Sequence, residues 1–272
     1  MSELNLDQCL ERVRRDNPLT LSITNQVTIS ECANGLLAIG ASPVMSDDSD
    51  DAEALAGLAA ATVLNIGTVG ERQFQVMLAA GRGARKGMHP IVFDPVGVGA
   101  TLARRKYSSQ LISQLSPDII RGNFSEIRAL AGLTFEQKGV DSADAENTAN
   151  VAAIAEALSN QLRCVVAVTG ATDVVTGDGR TFFIDGGSPL LTKVTGTGCL
   201  LSALVGAYAG ANQDDLVAGT AAAMAHMAVA GGRAAGELNH QNCLGSFRVG
   251  LFDHLARITG ADLSRAAEVR AK

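Results

Sequence analysis

The sequence has no tryptophan, few aromatic residues (4%) and few charges (18%), beside 47% hydrophobic residues. So little charge with so much apolar material excludes an intrinsically disordered chain. Basic residues are in the minority. Lys and Arg total 22 against 28 Asp and Glu, a net charge of −6. That excludes a broad basic face, so no nucleic-acid partner is expected. The five cysteines are an odd number, widely spaced, without a Cys-x-x-Cys pair. They read as free thiols of a reducing cytosol. Strongly hydrophobic runs are missing too. Residues 194–213 and 216–232 carry no charge, but Gly, Thr and Ala dilute them too far for a membrane span. They read as closely packed Ala/Gly-rich helices, and no membrane partner is expected. The N-terminal stretch Met-Ser-Glu-Leu-Asn-Leu-Asp is acidic and has no apolar signal core, which points to a cytoplasmic location. No Pro/Ser-rich linker or internal repeat divides the chain, so residues 1–272 read as one domain.

Apolar spacing through Leu6, Cys9, Leu10 and Val13 predicts a helix stopped at Asn17-Pro18. Residues 19–24 alternate like a strand. Ile29, Cys32, Ala33, Leu36 and Leu37 mark a second helix, broken at Gly40-Ala41-Ser42-Pro43. Five acids between 47 and 53 fit a solvated helix start better than a metal cage. Apolar runs at 61–66, 91–93, 119–120 and 164–168 then alternate with helical patterns at 74–81, 102–115, 125–131 and 148–158. That alternation predicts an α/β fold with a mostly parallel central sheet flanked by helices. Residues 174–184, with Gly177-Asp178-Gly179 between two β-rich runs, read as a late hairpin. Beyond Lys193 the pattern is helical to the end.

Ligands of such sheets bind beyond the carboxyl ends of the strands. The residues there are Asn65 with Gly67-Thr68, Asp94 followed by Gly97-x-Gly99, Arg121-Gly122-Asn123, and Thr169-Gly170. The sharpest motif is Val194-Thr195-Gly196-Thr197-Gly198-Cys199 at the start of a long helix. Converging N–H groups and a helix N-terminus suit a phosphate or a developing oxyanion. Neither a Walker loop nor a Rossmann fingerprint is present. Asn123-Phe124-Ser125-Glu126 supports two readings equally: oxygen ligands for magnesium, or a helix capping box. Arg121, two residues earlier, is placed to neutralise a phosphate.

These motifs, together with Asn25-x-Val27-Thr28 and Ala41-Ser42-Pro43-Val44-Met45, resemble the hydroxyethylthiazole kinases of the ribokinase-like superfamily, in order from about residue 20 to 210. The resemblance implies a ribokinase-like three-layer fold. It also implies ATP-dependent phosphorylation of 4-methyl-5-(2-hydroxyethyl)thiazole in thiamine salvage. By that likeness Arg121, Thr169 and Asn123 contact ATP, and Asp94 and Glu126 organise Mg2+. Met45, Gly196, Asn25, Val27 and Gly67 meet the thiazole, and Gly196, Gly198 and Cys199 form the catalytic turn. A homotrimer with sites at subunit boundaries is implied as well. Thr176-Gly177-Asp178-Gly179 departs from the family pattern only in local loop geometry. By the same likeness Cys199 occupies the place of the aspartate base common in the superfamily, a place where the thiazole kinases carry Cys. Its position at a helix N-terminus is expected to lower the thiol pKa. A Cys nucleophile for acyl transfer is the rival reading, but no His lies near a predicted strand end. A kinase for the hydroxymethylpyrimidine half of thiamine is the nearer alternative.

Overall fold

The computed structural model describes residues 4–134, 147–240 and 242–272. The first three residues of the acidic N-terminal stretch therefore lie outside the described residues. The expected alternation forms. Helix α1 (Leu6–Asp16) leads to β1 (Leu19–Ile23), α2 (Ile29–Ile39) to β2 (Ser42–Val44), and α3 (Ser49–Leu58) to β3 (Ala61–Asn65). Next come α4 (Glu71–Gly87), β4 (Ile91–Asp94), α5 (Leu102–Leu115), β5 (Ile119–Asn123), α6 (Phe124–Thr134), α7 (Thr148–Leu162) and β6 (Val165–Thr169). The hairpin of β7 (Thr172–Gly177) and β8 (Arg180–Asp185) precedes a 3₁₀ turn at Pro189–Thr192. Four helices follow: α8 (Thr197–Ala211), α9 (Leu216–Gly236), α10 (Leu244–Arg257) and α11 (Gly260–Ala266). The last strand is β9 (Glu268–Ala271).

The strands line up as β2-β1-β3-β4-β5-β6-β7-β8-β9. β2 through β6 are mutually parallel, and β7, β8 and β9 are added antiparallel. Successive side chains of a strand point to opposite faces, and both faces are apolar here. Val63, Val92, Ile119, Val165 and Val175 pack with α1, α2 and α8–α11. Their neighbours Leu64, Phe93, Ile120, Val166 and Val174 pack with α3–α7. That is why the central strands read as continuous apolar runs. The acids near residue 50 do start a helix. Asp48 caps α3 by accepting from the N–H groups of Asp50 and Asp51. The β7–β8 turn is the two-residue kind, with Asp178 at φ 50° and Gly179 at φ 73°, as a twisted hairpin requires.

Two strands depart from the sequence reading. Residues 42–44 read as a helix break yet form β2, in parallel register with Leu19–Leu21. Its Pro43 is tolerated because the strand lies at the sheet edge. The end of the chain is not all helix: β9 pairs antiparallel with β8. Glu-Val-Arg-Ala offers a single apolar side chain large enough to mark a face, so backbone pairing, not periodicity, makes this strand.

Candidate active site

Because β2 to β6 are parallel, the residues after each strand collect at one edge. Asn25 follows β1, Asn65 ends β3 and Asp94 ends β4; all three are buried. They join in one hydrogen-bonded series. Asn25 Nδ2 donates to Asn65 Oδ1 at 3.0 Å and to Cys199 Sγ at 3.1 Å. Asn65 Nδ2 donates to Asp94 Oδ2 at 2.6 Å. The hydroxyl of Ser202, one turn along α8 from Cys199, donates to that same oxygen at 2.8 Å. The other carboxylate oxygen of Asp94 is buried and has no hydrogen-bond partner. Arg104 of α5 holds the surrounding loops by donating to the carbonyls of Ile66 (2.9 Å), Val96 (2.6 Å) and Gly67 (2.7 Å).

The glycine turn arrives at this edge as the start of α8. Gly196 is the N-cap with φ 90°, a left-handed conformation that favours glycine. A β-carbon there would come within 2.8 Å of the Thr28 side chain. Thr197 steadies the turn by donating to the carbonyl of Leu191 at 2.6 Å. Leu200 N is bonded to Gly196 O. The preceding amides of residues 197–199 are the open donors of a helix start. Arg121, two residues before the end of β5, donates to Gly198 O at 3.0 Å and to Thr169 Oγ1 at 2.9 Å. Gly198 leaves room for it, since a β-carbon would sit 3.1 Å from the guanidinium.

A cavity of about 720 Å³ opens here, lined by Asp94, Arg121, Asn123, Glu126, Thr169, Gly196, Gly198 and Cys199. The predicted ATP, metal and catalytic positions therefore converge on one space. Several wall residues were not singled out from sequence, among them Asp173, Gly187, Leu191, Met227 and Ala228. The apolar ones carry no signal that separates them from core. Ser202 was findable, since it lies three residues after Cys199 on the same helical face. The predicted thiazole residues divide. Asn25 packs behind Cys199, and Gly67 abuts Asn25, where a β-carbon would come within 2.8 Å of its side-chain nitrogen. Met45, just past β2, is half-buried against the α8 side of the core, and Val27 is 62% exposed; neither lines the cavity.

Asn123 and Glu126 form the capping box. Asn123 N donates to Glu126 Oε2 at 2.8 Å, and Glu126 N donates to Asn123 Oδ1 at 3.0 Å. Glu126 Oε1 also accepts from Gly97 N at 2.9 Å, tying the loop after β4 to α6. Each carboxylate oxygen keeps a second lone pair, so Glu126 can still accept from a metal-bound water. Asp94, which lines the cavity and has one oxygen without a partner, suits contact with a hard cation. Magnesium commonly takes one or two carboxylates and completes its shell with waters and phosphates. These residues fit it.

Burial pushes Asp94 up to about 6, with Arg121 opposing and Glu126 adding. Asp173 is likewise lifted to about 6 by burial, against the Gly170 N–H and Arg121. For Cys199 the expected direction is overturned. Burial first, then the Asp94 carboxylate, raises the thiol above its ordinary value; Asn65, Asn25 and Thr28 offset only part of this. Desolvation beside a carboxylate outweighs the three side-chain hydrogen bonds.

Comparison with known proteins bears directly on this arrangement. The sequence model of the hydroxyethylthiazole kinase family matches residues 10–261. A hydroxyethylthiazole kinase of Methanocella arvoryzae is 41% identical over 272 residues, covering 99% of each chain. The solved structure of a hydroxyethylthiazole kinase protein from Pyrococcus horikoshii is 36% identical, covers 98% of each chain and superposes with a TM-score of 0.88. A ribokinase-like superfamily protein from Enterococcus faecalis shares 13% identity over 92% of this chain and 89% of its own, with a TM-score of 0.62. That last likeness speaks to fold alone.

Proposed function

The chain belongs to the hydroxyethylthiazole kinase family, and from that premise we infer that it transfers the terminal phosphoryl group of ATP to the hydroxyl of 4-methyl-5-(2-hydroxyethyl)thiazole, a thiamine-salvage step. The observation that carries this reading to particular residues is the cavity at the carboxyl edge. It is lined by Asp94, one of whose oxygens has no partner, by Arg121 and by residues 196–199 at the start of α8. In the transfer an O–P bond forms to the alcohol and the bond to the ADP oxygen breaks. The alcohol proton leaves through Cys199 or water. Positioning and charge neutralisation supply most of the rate of such a reaction, so a weak thiol base is sufficient. The amides of residues 197–199 face charge developing on the transferring group, and Arg121 keeps their turn in place through Gly198 O. Asn123 and Thr169 border the nucleotide's phosphate end. Asp94 would hold Mg2+ directly and Glu126 would hold it through water. When bound, the ion neutralises phosphate charge.

The same reading takes residues 1–272 as one kinase domain that works as a cytoplasmic homotrimer, with Met45 and Val27 meeting the thiazole at a subunit boundary. Support comes from exposed apolar residues on and next to α2, Val27, Ile29 and Leu37, with Val249 on the adjoining α10. The five cysteines are all free, as a reducing compartment permits. A phosphorylation assay with MgATP and a panel of vitamin-precursor alcohols tests the substrate. Turnover of hydroxymethylpyrimidine with none of the thiazole alcohol would replace this reading. Light scattering tests the trimer, and an active monomer would remove the shared-site arrangement.

A further inference from the structure

Two backbone N–H groups settle how the buried amides beside Cys199 are oriented. Val27 N donates to Asn25 Oδ1 at 3.1 Å, and Gly67 N donates to Asn65 Oδ1 at 2.9 Å. An N–H group can only donate, so the oxygen of each amide is fixed and its nitrogen must point the other way. Asn25 Nδ2 then has two hydrogens and two acceptors, Asn65 Oδ1 and Cys199 Sγ. Asn65 Nδ2 meets the Asp94 carboxylate, which closes the series. Asn25 is 4% exposed and Asn65 1%, and neither lines the cavity. Their polar ends are engaged with each other, with two backbone N–H groups, with Cys199 and with Asp94.

The geometry assigns Asn25 to the positioning of Cys199, because it presents a fixed N–H to the sulfur and keeps that sulfur an acceptor at the mouth of α8. Asn65 locks the amide that does so. Asn25 and Asn65 are on this account positioning residues for Cys199 and not contacts of the alcohol. The inference deepens the kinase reading and rests on it for turnover, but not for the state of the thiol. The groups that bear on the sulfur are Asp94 from β4, Asn65 from β3, and Thr28 and Cys32 at the start of α2, together with Asn25. Asn25 Nδ2 donates to the sulfur at 3.1 Å, and its hydrogens can only donate.

The test is alkylation of Cys199 by iodoacetamide in the ligand-free full chain carrying Cys243→Ser, followed by peptide mass across pH 6–10. Cys9, Cys32 and Cys164 are buried and remain in place. Asn25→Leu keeps the shape and removes the donor. Asn25→Asp keeps the shape and turns an oxygen toward the sulfur. Below the thiol pKa, alkylation should slow about tenfold in Asn25→Leu, the effect of one charge-assisted hydrogen bond, and further in Asn25→Asp. In parallel, kcat should fall by a similar factor while KM for the thiazole alcohol stays within about threefold. Either variant suffices if the other does not fold. Unchanged alkylation with a raised thiazole KM would overturn the inference and return Asn25 to the role of substrate contact. An unsubstituted chain that fails to phosphorylate the thiazole alcohol would instead overturn the kinase reading, leaving the alkylation result to be judged by itself.

Discussion

The two edges of the sheet both gather charged side chains around a cavity, and they treat them in opposite ways. At the amino-terminal edge a space of about 320 Å³ is bordered by Asp118, Arg163, Asp178, Arg180, Asp214 and Asp215. Here the acids meet cations. Arg180 grips Asp215 through both guanidinium nitrogens, Arg85 pairs with Asp118 at 2.9 Å, and Arg12 pairs with Asp214. Arg180 holds the Asp215 carboxyl below the usual carboxylate range, while Asp215 also caps α9 through Ala218 N. At the carboxyl edge Asp94 is pushed the other way and keeps one oxygen without a partner. One edge closes its charges against each other and stabilises the fold. The other leaves them open at a cost in stability, which is the signature of a functional site.

Substitutions at the two edges should therefore separate activity from stability. The largest effect is expected from Asp94→Asn, with turnover falling about a thousandfold or more because the carboxylate that faces the cation is gone. Its melting temperature should not fall. A carboxyl whose folded pKa lies above its unfolded value contributes stability below the unfolded value and loses it as pH rises through about 6. Melting of the ligand-free protein from pH 4 to pH 8 should show that loss in the unsubstituted chain and not in Asp94→Asn. A variant that melted early at pH 8 would make Asp94 a structural residue after all.

Glu126→Gln should lower turnover by about two orders of magnitude or more and raise the magnesium needed for half-maximal rate. Its capping bonds survive in part, since the amide oxygen still accepts from one backbone N–H. Normal metal dependence and turnover would reduce Glu126 to the cap that its hydrogen bonds describe.

A smaller effect is expected at Cys199. General-base help is worth about 10²–10⁴-fold, and a buried thiol beside a carboxylate belongs at or below the bottom of that range. Cys199→Ala should keep measurable kcat because the amides of residues 197–199 persist, and Cys199→Asp should keep substantial activity. An inactive Cys199→Asp that binds ATP and thiazole normally by calorimetry would refute the base assignment.

The smallest effect on catalysis belongs to the other edge. Arg180→Ala leaves Asp215 partly buried without its cation, a loss of about 1–3 kcal/mol, or roughly 2–5 °C in melting temperature for a chain of this size. The depressed Asp215 carboxyl contributes above its unfolded pKa and loses that contribution as pH falls through the folded one. The difference between variant and parent should therefore shrink in acid. The kcat per folded molecule should stay unchanged, and a tenfold loss would show that the two edges are coupled.

Most of the helices and central strands were legible because one periodicity told one story over many residues. Leu6, Cys9, Leu10 and Val13 of α1, all buried on one face, are an instance, and buried parallel strands announce themselves as apolar runs. β2 and β9 were not legible, because edge strands are made by backbone pairing and carry almost no apolar pattern. The candidate site was legible as a set of strand-end motifs. Two of its properties were not: the direction of the Cys199 shift, and the bond from Gly97 N to Glu126 that ties the loop after β4 to α6.

The sequence by itself determined which residues would gather at the carboxyl edge, since parallel strands bring their ends together whatever the details of packing. It also determined that a glycine turn would open a helix there. Only the tertiary structure decided what each group faces. Asn25 meets Cys199 across 174 positions of chain and Asp94 meets Ser202 across 108. Burial, which sets the proton affinity of Asp94 and Cys199, comes from all the layers at once. Local pattern encodes secondary structure because its interactions span a few residues; desolvation and amide orientation depend on neighbours that only the folded chain supplies.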